Sequence, residues 1–298
     1  MWNSEINGFK IYLKLEKGLS QNTLSAYLHD IDLLREFFIT TNRQPSLNEL
    51  KLRDLEQFIK HLYDIGLNER SQARIISGIK AFFKYLILEK IISNDPSDLL
   101  ESPKLAKKLP ETLSHEEIEK MIATLDLSKP HNVRNKAIIE VMYSCGLRVS
   151  EATALTISGL LFDMEIIRIV GKGSKERLVP IGQSATKNIL IYKNEIRNHL
   201  NIHNKHTDIL FLNKNGKPLS RIMLFKIIKE MAAQAGITKT VSPHTLRHSF
   251  ATEMINNGAN LRAIQLMLGH ASITTTEIYT HLDQQYLRDT LIQYHPRF

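Results

Sequence analysis

At 298 residues the chain is long enough for two domains with separate cores, and 43% hydrophobic with 23% charged residues is a globular composition that excludes disordered and fibrous proteins. Its one cysteine, Cys145, excludes an internal disulfide and a cysteine-built zinc site. Lys and Arg exceed Asp and Glu by 39 to 31, and +6 of the resulting +8 falls in residues 111–298, so a polyanion is the natural partner.

Residues 1–100 read as helices. Leu24, Tyr27, Leu28, Ile31 and Leu34 recur at the spacing of one helical face, after Ser20 and Asn22, which are good N-caps. Ser46 and Glu49 form a capping-box pattern ahead of Leu52, Leu55, Phe58, Ile59 and Leu62, and Gly66 supplies a stop. Between Asn68 and Lys90, Ile75, Ile76, Ile79, Phe82, Phe83 and Leu86 gather on one side of a helix, with Arg70, Arg74, Lys80 and Lys84 on the other. Solvated faces mix signs for pairing between successive turns, and no acid interrupts this one, so the four cations are read as phosphate contacts.

Residues 101–112, with Pro103, Pro110 and three lysines, read as a basic, semi-extended linker. Ser114 with Glu117 is a second capping box, which starts the second domain near residue 111. Helices follow at about 131–145, ended by Gly146, and at about 150–156. The period then changes: Ile166 to Val170 and Arg177 to Ile181 flank Gly-Lys-Gly-Ser-Lys-Glu and read as a hairpin. Helical patterns resume near 184–200, 220–235, 244–257, 261–268 and 272–281, with a short one to about 293. In the tail, Tyr286, Leu287, Leu291 and Ile292 lie on a helical pattern too short to bury them alone, so they need a host.

Several residues in this second part suit phosphate chemistry. Arg148 lies in Gly-Leu-Arg-Val-Ser-Glu, between two helices, where its planar fork can meet a phosphate or pair with Glu151. Lys172 sits at the tip of Gly171-Lys172-Gly173 and is a plausible proton donor, with Lys175 its rival in the same loop. His244 and Arg247 share a helical face after Pro243, and His248, four residues from His244, can approach it. His270 follows the glycine that ends a helix, and Tyr279 comes nine residues later. The chain lacks a His-Glu-x-x-His zinc motif, a phosphate-binding Gly-x-x-x-x-Gly-Lys loop, a Gly-x-Ser-x-Gly elbow and an acidic Mg²⁺ cluster, which leaves a metal-free phosphate site.

In this order, Arg148, Lys172, His244-x-x-Arg247, His270 and Tyr279 resemble the active site of the tyrosine recombinases, the phage integrase family, and the whole chain resembles their bacterial Xer type. Leu19 to Tyr27, Leu-Ser-Gln-Asn-Thr-Leu-Ser-Ala-Tyr, is closer to the XerD branch than to the XerC branch. With the periodicities above, the resemblance implies a mainly α, two-domain protein. A helical-bundle DNA-binding domain covers 1–100, a linker 101–112, and a mixed α/β catalytic domain, mostly helical with a small antiparallel sheet, 113–298.

The implied activity is site-specific recombination through a 3′-phosphotyrosyl intermediate, in chromosome dimer resolution at cell division. Tyr279 is the nucleophile, His244 orients it or takes its proton, Lys172 protonates the leaving 5′ oxygen, and Arg148, Arg247 and His270 stabilise the phosphate charge. No cofactor and no metal are expected. The implied partners are double-stranded DNA with paired inverted half-sites, a XerC-like paralogue or further copies of this chain in a tetramer on two sites, and a septal FtsK-like DNA translocase; the resemblance also implies that the tail finds its host in a neighbouring subunit. With no span of roughly 18 apolar residues and no signal-like N-terminus, a cytoplasmic, nucleoid-associated protein without a membrane partner is expected. Alternative readings are a phage or mobile-element integrase with the same chemistry, and a DNA-binding protein without catalysis.

Overall fold

The computed structural model describes residues 1–103, 111–171, 176–269 and 281–298, the side chains of 281–284 excepted. The chain divides into two compact units, Met1–Lys108 and Leu109–Phe298. The architecture is mainly helical with one small antiparallel sheet, as the sequence patterns imply. Among the described residues no helix is long and apolar enough to cross a membrane.

The first unit is a bundle of α1 (Asn3–Leu15), α2 (Gln21–Thr40), α3 (Leu52–Asp64) and α4 (Glu69–Leu88). Ser20 and Asn68 cap α2 and α4 with their side-chain oxygens, on the backbone N–H groups of Thr23 and Ser71. The capping pair Ser46–Glu49 forms, with the Ser46 N–H donating to Glu49 at 2.8 Å, but it closes a 3₁₀ turn at Leu47–Glu49. Asp54 instead accepts from the Lys51 N–H at the start of α3. Most of the face read from the spacing is core: Leu24, Ile31, Leu34, Phe58, Ile75, Ile79, Phe82 and Leu86 are buried, joined by Phe9 of α1, while Tyr27, Leu28, Leu52 and Ile59 are half-buried at its edge. Each such side chain contributes roughly 1.5–3 kcal/mol on full burial.

The second unit is built around α6 (Pro130–Ser144), preceded by α5 (His115–Ala123) with its Ser114–Glu117 capping box. Ile138, Ile139, Val141, Met142 and Tyr143 of α6 are all buried, so this helix is apolar on nearly every side and takes neighbours all round. After the short α7 (Val149–Thr153) come β1 (Leu160–Leu161), β2 (Ile166–Val170) and β3 (Glu176–Pro180), antiparallel in the order β1-β2-β3. In the hairpin Ile167 opposes Val179 and Ile169 opposes Arg177. The predicted helix at 184–200 is shorter: α8 (Gln183–Ile191) passes into a π turn and a 3₁₀ turn at Arg197–His199. Then follow α9 (Arg221–Gln234), α10 (Pro243–Asn256), α11 (Leu261–Leu268) and α12 (His281–Tyr294).

The tail departs from its expected placement. Instead of requiring a neighbouring subunit, α12 packs on β3, α10 and α11 of its own unit. Leu287 and Leu291, one turn apart, are buried there, whereas Tyr286 and Ile292 lie roughly 100° to either side and remain exposed. One narrow apolar stripe is enough to seat the helix. The last residues reinforce it: His295 is buried against the Tyr143 and Phe250 rings, and Arg297 pairs with Glu140 at 3.1 Å and with Glu119.

Candidate active site

The end of α6 sets the site. After Ser144 the chain turns through Gly146 at φ +59°, a left-handed conformation that favours glycine, with Phe250 and Leu268 occupying the space a Cβ would need. This tight turn delivers Arg148 to the N-cap of α7. Glu151, in the first turn of that helix, accepts the Arg148 backbone N–H at 2.8 Å and its guanidinium at 2.9 Å.

Glu151 is the centre of a charge knot. Arg177, from β3, grips both carboxylate oxygens at 2.7 and 2.9 Å, and Arg247, from α10, lies 3.7 Å away. Burial alone would push the carboxyl up, but the Arg177 fork and charge, with the N–H and guanidinium of Arg148, outweigh it and hold Glu151 at about 2. Burial, then the neighbouring cations Arg148 and Arg177, bring Arg247 down to about 10, so it stays charged at neutral pH.

The same three arginines meet at the end of α11. Met267, Leu268 and Gly269 offer three successive carbonyls, of the kind a helix C-terminus leaves without internal partners. Arg177 Nε donates to Met267 at 2.9 Å, Arg247 Nη2 to Leu268 at 2.5 Å and Arg148 Nη2 to Gly269 at 3.4 Å. Arg247 also donates to the Gly146 carbonyl at 2.7 Å. Three guanidiniums against one carboxylate leave an excess of two positive charges. Of the three, the Arg148 side chain reaches solvent most, at 36% exposure against 8% and 9% for Arg177 and Arg247. A partly exposed guanidinium backed by buried ones has the chemistry to receive an anion, with its donors held in place.

Of the residues marked by sequence, Arg148 and Arg247 come together here. His244 is exposed in the first turn of α10, and His248 is exposed one turn further on. Lys172 and its rival Lys175, His270 and Tyr279 lie outside the described residues; the last described residue before His270 is Gly269, whose carbonyl Arg148 holds. Arg70, Arg74, Lys80 and Lys84 all lie on α4 of the other unit. Arg74 is paired with the buried Asp30 of α2, and Lys80 donates to the Asp98 carbonyl at 3.2 Å, while Arg70 and Lys84 are exposed. The basic face therefore does meet an acid, from a neighbouring helix.

Sequence reasoning passes over two members of the knot. Glu151 figures there only as a surface partner for Arg148, although its place three residues on marks it as the cap of the same helix. Arg177 figures only as the first residue of the second hairpin strand, yet the alternation of β3 puts it on the inward side with Val179. An arginine at an inward strand position is a usable signal of a buried counterion.

Residues 111–286 match the model of the phage integrase family, and residues 6–90 that of the phage integrase N-terminal SAM-like domain. The chain belongs to the phage integrase family, the tyrosine recombinases. Among curated members of the family, the tyrosine recombinase XerD of Oceanobacillus iheyensis is 42% identical over 98% of both chains. That of Staphylococcus aureus is 41% identical over 96% of both. Among solved tyrosine recombinases, XerH bound to its palindromic difH substrate in a post-cleavage complex is similar with a TM-score of 0.69 at 27% identity, covering 89% of this chain and 78% of that one. The Tn1549 transposon integrase with circular-intermediate DNA shares the fold, with a TM-score of 0.72 at 18% identity over 97% and 94% of the two chains. As a tyrosine recombinase, the protein is a DNA strand-transferring enzyme.

Proposed function

We propose that this tyrosine recombinase acts in chromosome dimer resolution at cell division, on duplex DNA with paired inverted half-sites. The observation that carries the chemistry is the convergence of Arg148 and Arg247 on the end of α11, two residues before His270. The two guanidiniums, with protonated His270, stabilise the charge that builds on the nonbridging oxygens. A phenol is mostly protonated at neutral pH, so His244 orients Tyr279 or takes its proton. The Tyr279 oxygen then bonds to phosphorus, the bond to the 5′ oxygen breaks, and Lys172 supplies the proton that oxygen needs. A 5′ hydroxyl from another strand reverses the step and releases the tyrosine, so the bond energy is kept and neither ATP nor a metal is required.

The domain assignment follows the same reading: 1–100 is the core DNA-binding domain and 113–298 the catalytic domain, joined by the basic linker 101–112, with Arg70, Arg74, Lys80 and Lys84 of α4 on the DNA phosphates. Four subunits act on two sites, either all copies of this chain or paired with a XerC-like paralogue, and a FtsK-like translocase is a further partner. The cytoplasm, at the nucleoid, is the place of action. The likeness to XerD over almost the whole of both chains supports the cellular role.

Nicked suicide substrates carrying chromosomal-terminus sites test this reading, scored as covalent complex on a denaturing gel. The parent forms the complex in EDTA, and Tyr279→Phe binds the same DNA and forms none. Undiminished adduct in that variant would move the nucleophile elsewhere, Tyr286 first, and a strict requirement for Mg²⁺ would overturn the mechanism.

A further inference from the structure

We infer that Arg177 is a positioning residue for strand cleavage: by occupying both oxygens of Glu151 it leaves Arg148 and Arg247 able to serve the scissile phosphate. This rests on the reading of those two arginines as phosphate ligands and adds a residue to it.

The placement of Arg177 is costly and specific. It stands opposite Ile169 and on the same side of β3 as Val179, where the strand otherwise buries apolar side chains. A guanidinium there is tolerated only when fully paired. Its fork spans the carboxylate at 2.7 and 2.9 Å, and its remaining contact, Nε to the Met267 carbonyl at 2.9 Å, ties β3 to the end of α11. The backbone makes room for it. Gly269 has φ +62°, and a Cβ there would stand 3.0 Å from Arg177 Cδ and 3.2 Å from Nε.

The electrostatic consequence follows from the neighbours. Glu151 is 2.9 Å from Arg148 and 3.7 Å from Arg247, so without Arg177 its full charge would draw both guanidiniums inward and repel an incoming phosphate. Glu151 is nevertheless required, because it caps the turn that presents Arg148. Arg177 reconciles the two demands: the acid keeps its structural place and loses its field.

The distinguishing experiment varies the charge of the substrate. Covalent-complex formation by full-length Arg177→Ala is compared with the parent on two suicide substrates, one with an ordinary scissile phosphodiester and one with a neutral methylphosphonate there. We expect Arg177→Ala to bind half-site DNA like the parent and to cleave the phosphodiester about 10–100-fold more slowly, the size of effect seen when the hydrogen-bond partner behind a metal ligand is removed. On the neutral substrate most of that defect disappears, because no anion remains for Glu151 to repel. Arg177→Lys falls between, keeping charge but not the fork.

Adding Glu151→Gln to Arg177→Ala restores phosphodiester cleavage by roughly tenfold, and this pair carries the test if Arg177→Ala alone does not fold. A parental cleavage rate in Arg177→Ala, an equal defect on both substrates, or a double variant no better than the folded single one would overturn the inference. So would a double variant that cleaves neither substrate when the single one does not fold. Arg148→Ala serves as control, since parental cleavage there would instead remove the phosphate-ligand reading itself.

Discussion

The two units handle charge in opposite ways. In the N-terminal bundle the cations of α4 stand toward solvent, and Arg74 alone of the four reaches a buried acid, Asp30. In the second unit Glu151, Arg177 and Arg247 are all buried within one small volume. Burying ions in a protein interior is expensive, and such pairs add little stability relative to an apolar core. The difference shows where precision matters. A helix face that meets a polyanion can use long, solvated side chains, since phosphate attraction is long-ranged and tolerant of position. A site that stabilises charge growing on one phosphorus needs donors that do not move as it grows, and burial with full pairing holds them still.

That contrast fails most visibly if the knot is unpicked. Glu151→Ala leaves two buried guanidiniums without their shared acid, and a loss of about 3–5 kcal/mol is expected in denaturant unfolding of the full chain. A loss below about 1 kcal/mol would mean that the carbonyls of Met267, Leu268 and Gly146 suffice to hold the cations.

On α4, Arg74→Ala strands the Asp30 carboxylate, whose pKa burial already raises against the pull of Arg74, and should cost about 1–3 kcal/mol. Arg70→Ala and Lys84→Ala should leave the melting temperature unchanged and lower the salt dependence of DNA binding by about one unit of slope for each phosphate no longer neutralised. If Arg74→Ala instead behaves like those two, its pairing with Asp30 is a surface interaction and the four cations form one equivalent set.

The tail sharpens the comparison further, because one of its anchors, His295, is a buried but uncharged group. Burial, with His115 and Arg297 nearby, pulls His295 from 6.5 down to about 3, so it is neutral when packed. In the unfolded chain it takes up a proton below about 6.5 while the packed form does not, so stability falls with pH between those two values. At pH 5.5 the expected loss is about 1.4 kcal/mol relative to neutral pH. The signature is a protection of the α12 amides, measured against the intrinsic exchange rate at each pH, that is about tenfold lower at pH 5.5 than at 7.5 and no longer changes in His295→Phe; unchanged protection in the parent would place the imidazole in contact with water.

Much of this protein is legible in order along the chain. The apolar periodicity of α2, α3 and α4, the Ser114–Glu117 cap and the hairpin around Gly171 are local matters, settled by spacing and by the backbone needs of a helix start or a tight turn. Membership of the family is legible for the same reason, through the ordered series of residue types from Arg148 to Tyr279. Contacts between distant segments decide the rest. Spacing shows Glu151 beside Arg148, but the arrival of Arg177 from 26 residues on and of Arg247 from α10 depends on how α6, the sheet and α11 pack. The Ser46–Glu49 pattern meets its own local needs and still closes a 3₁₀ turn rather than α3. Asp30 is invisible in a reading of α4 because it comes from α2. The seat of α12 follows the same logic: its sequence shows a narrow apolar stripe in need of cover, and only the packed groove of β3, α10 and α11 determines what covers it.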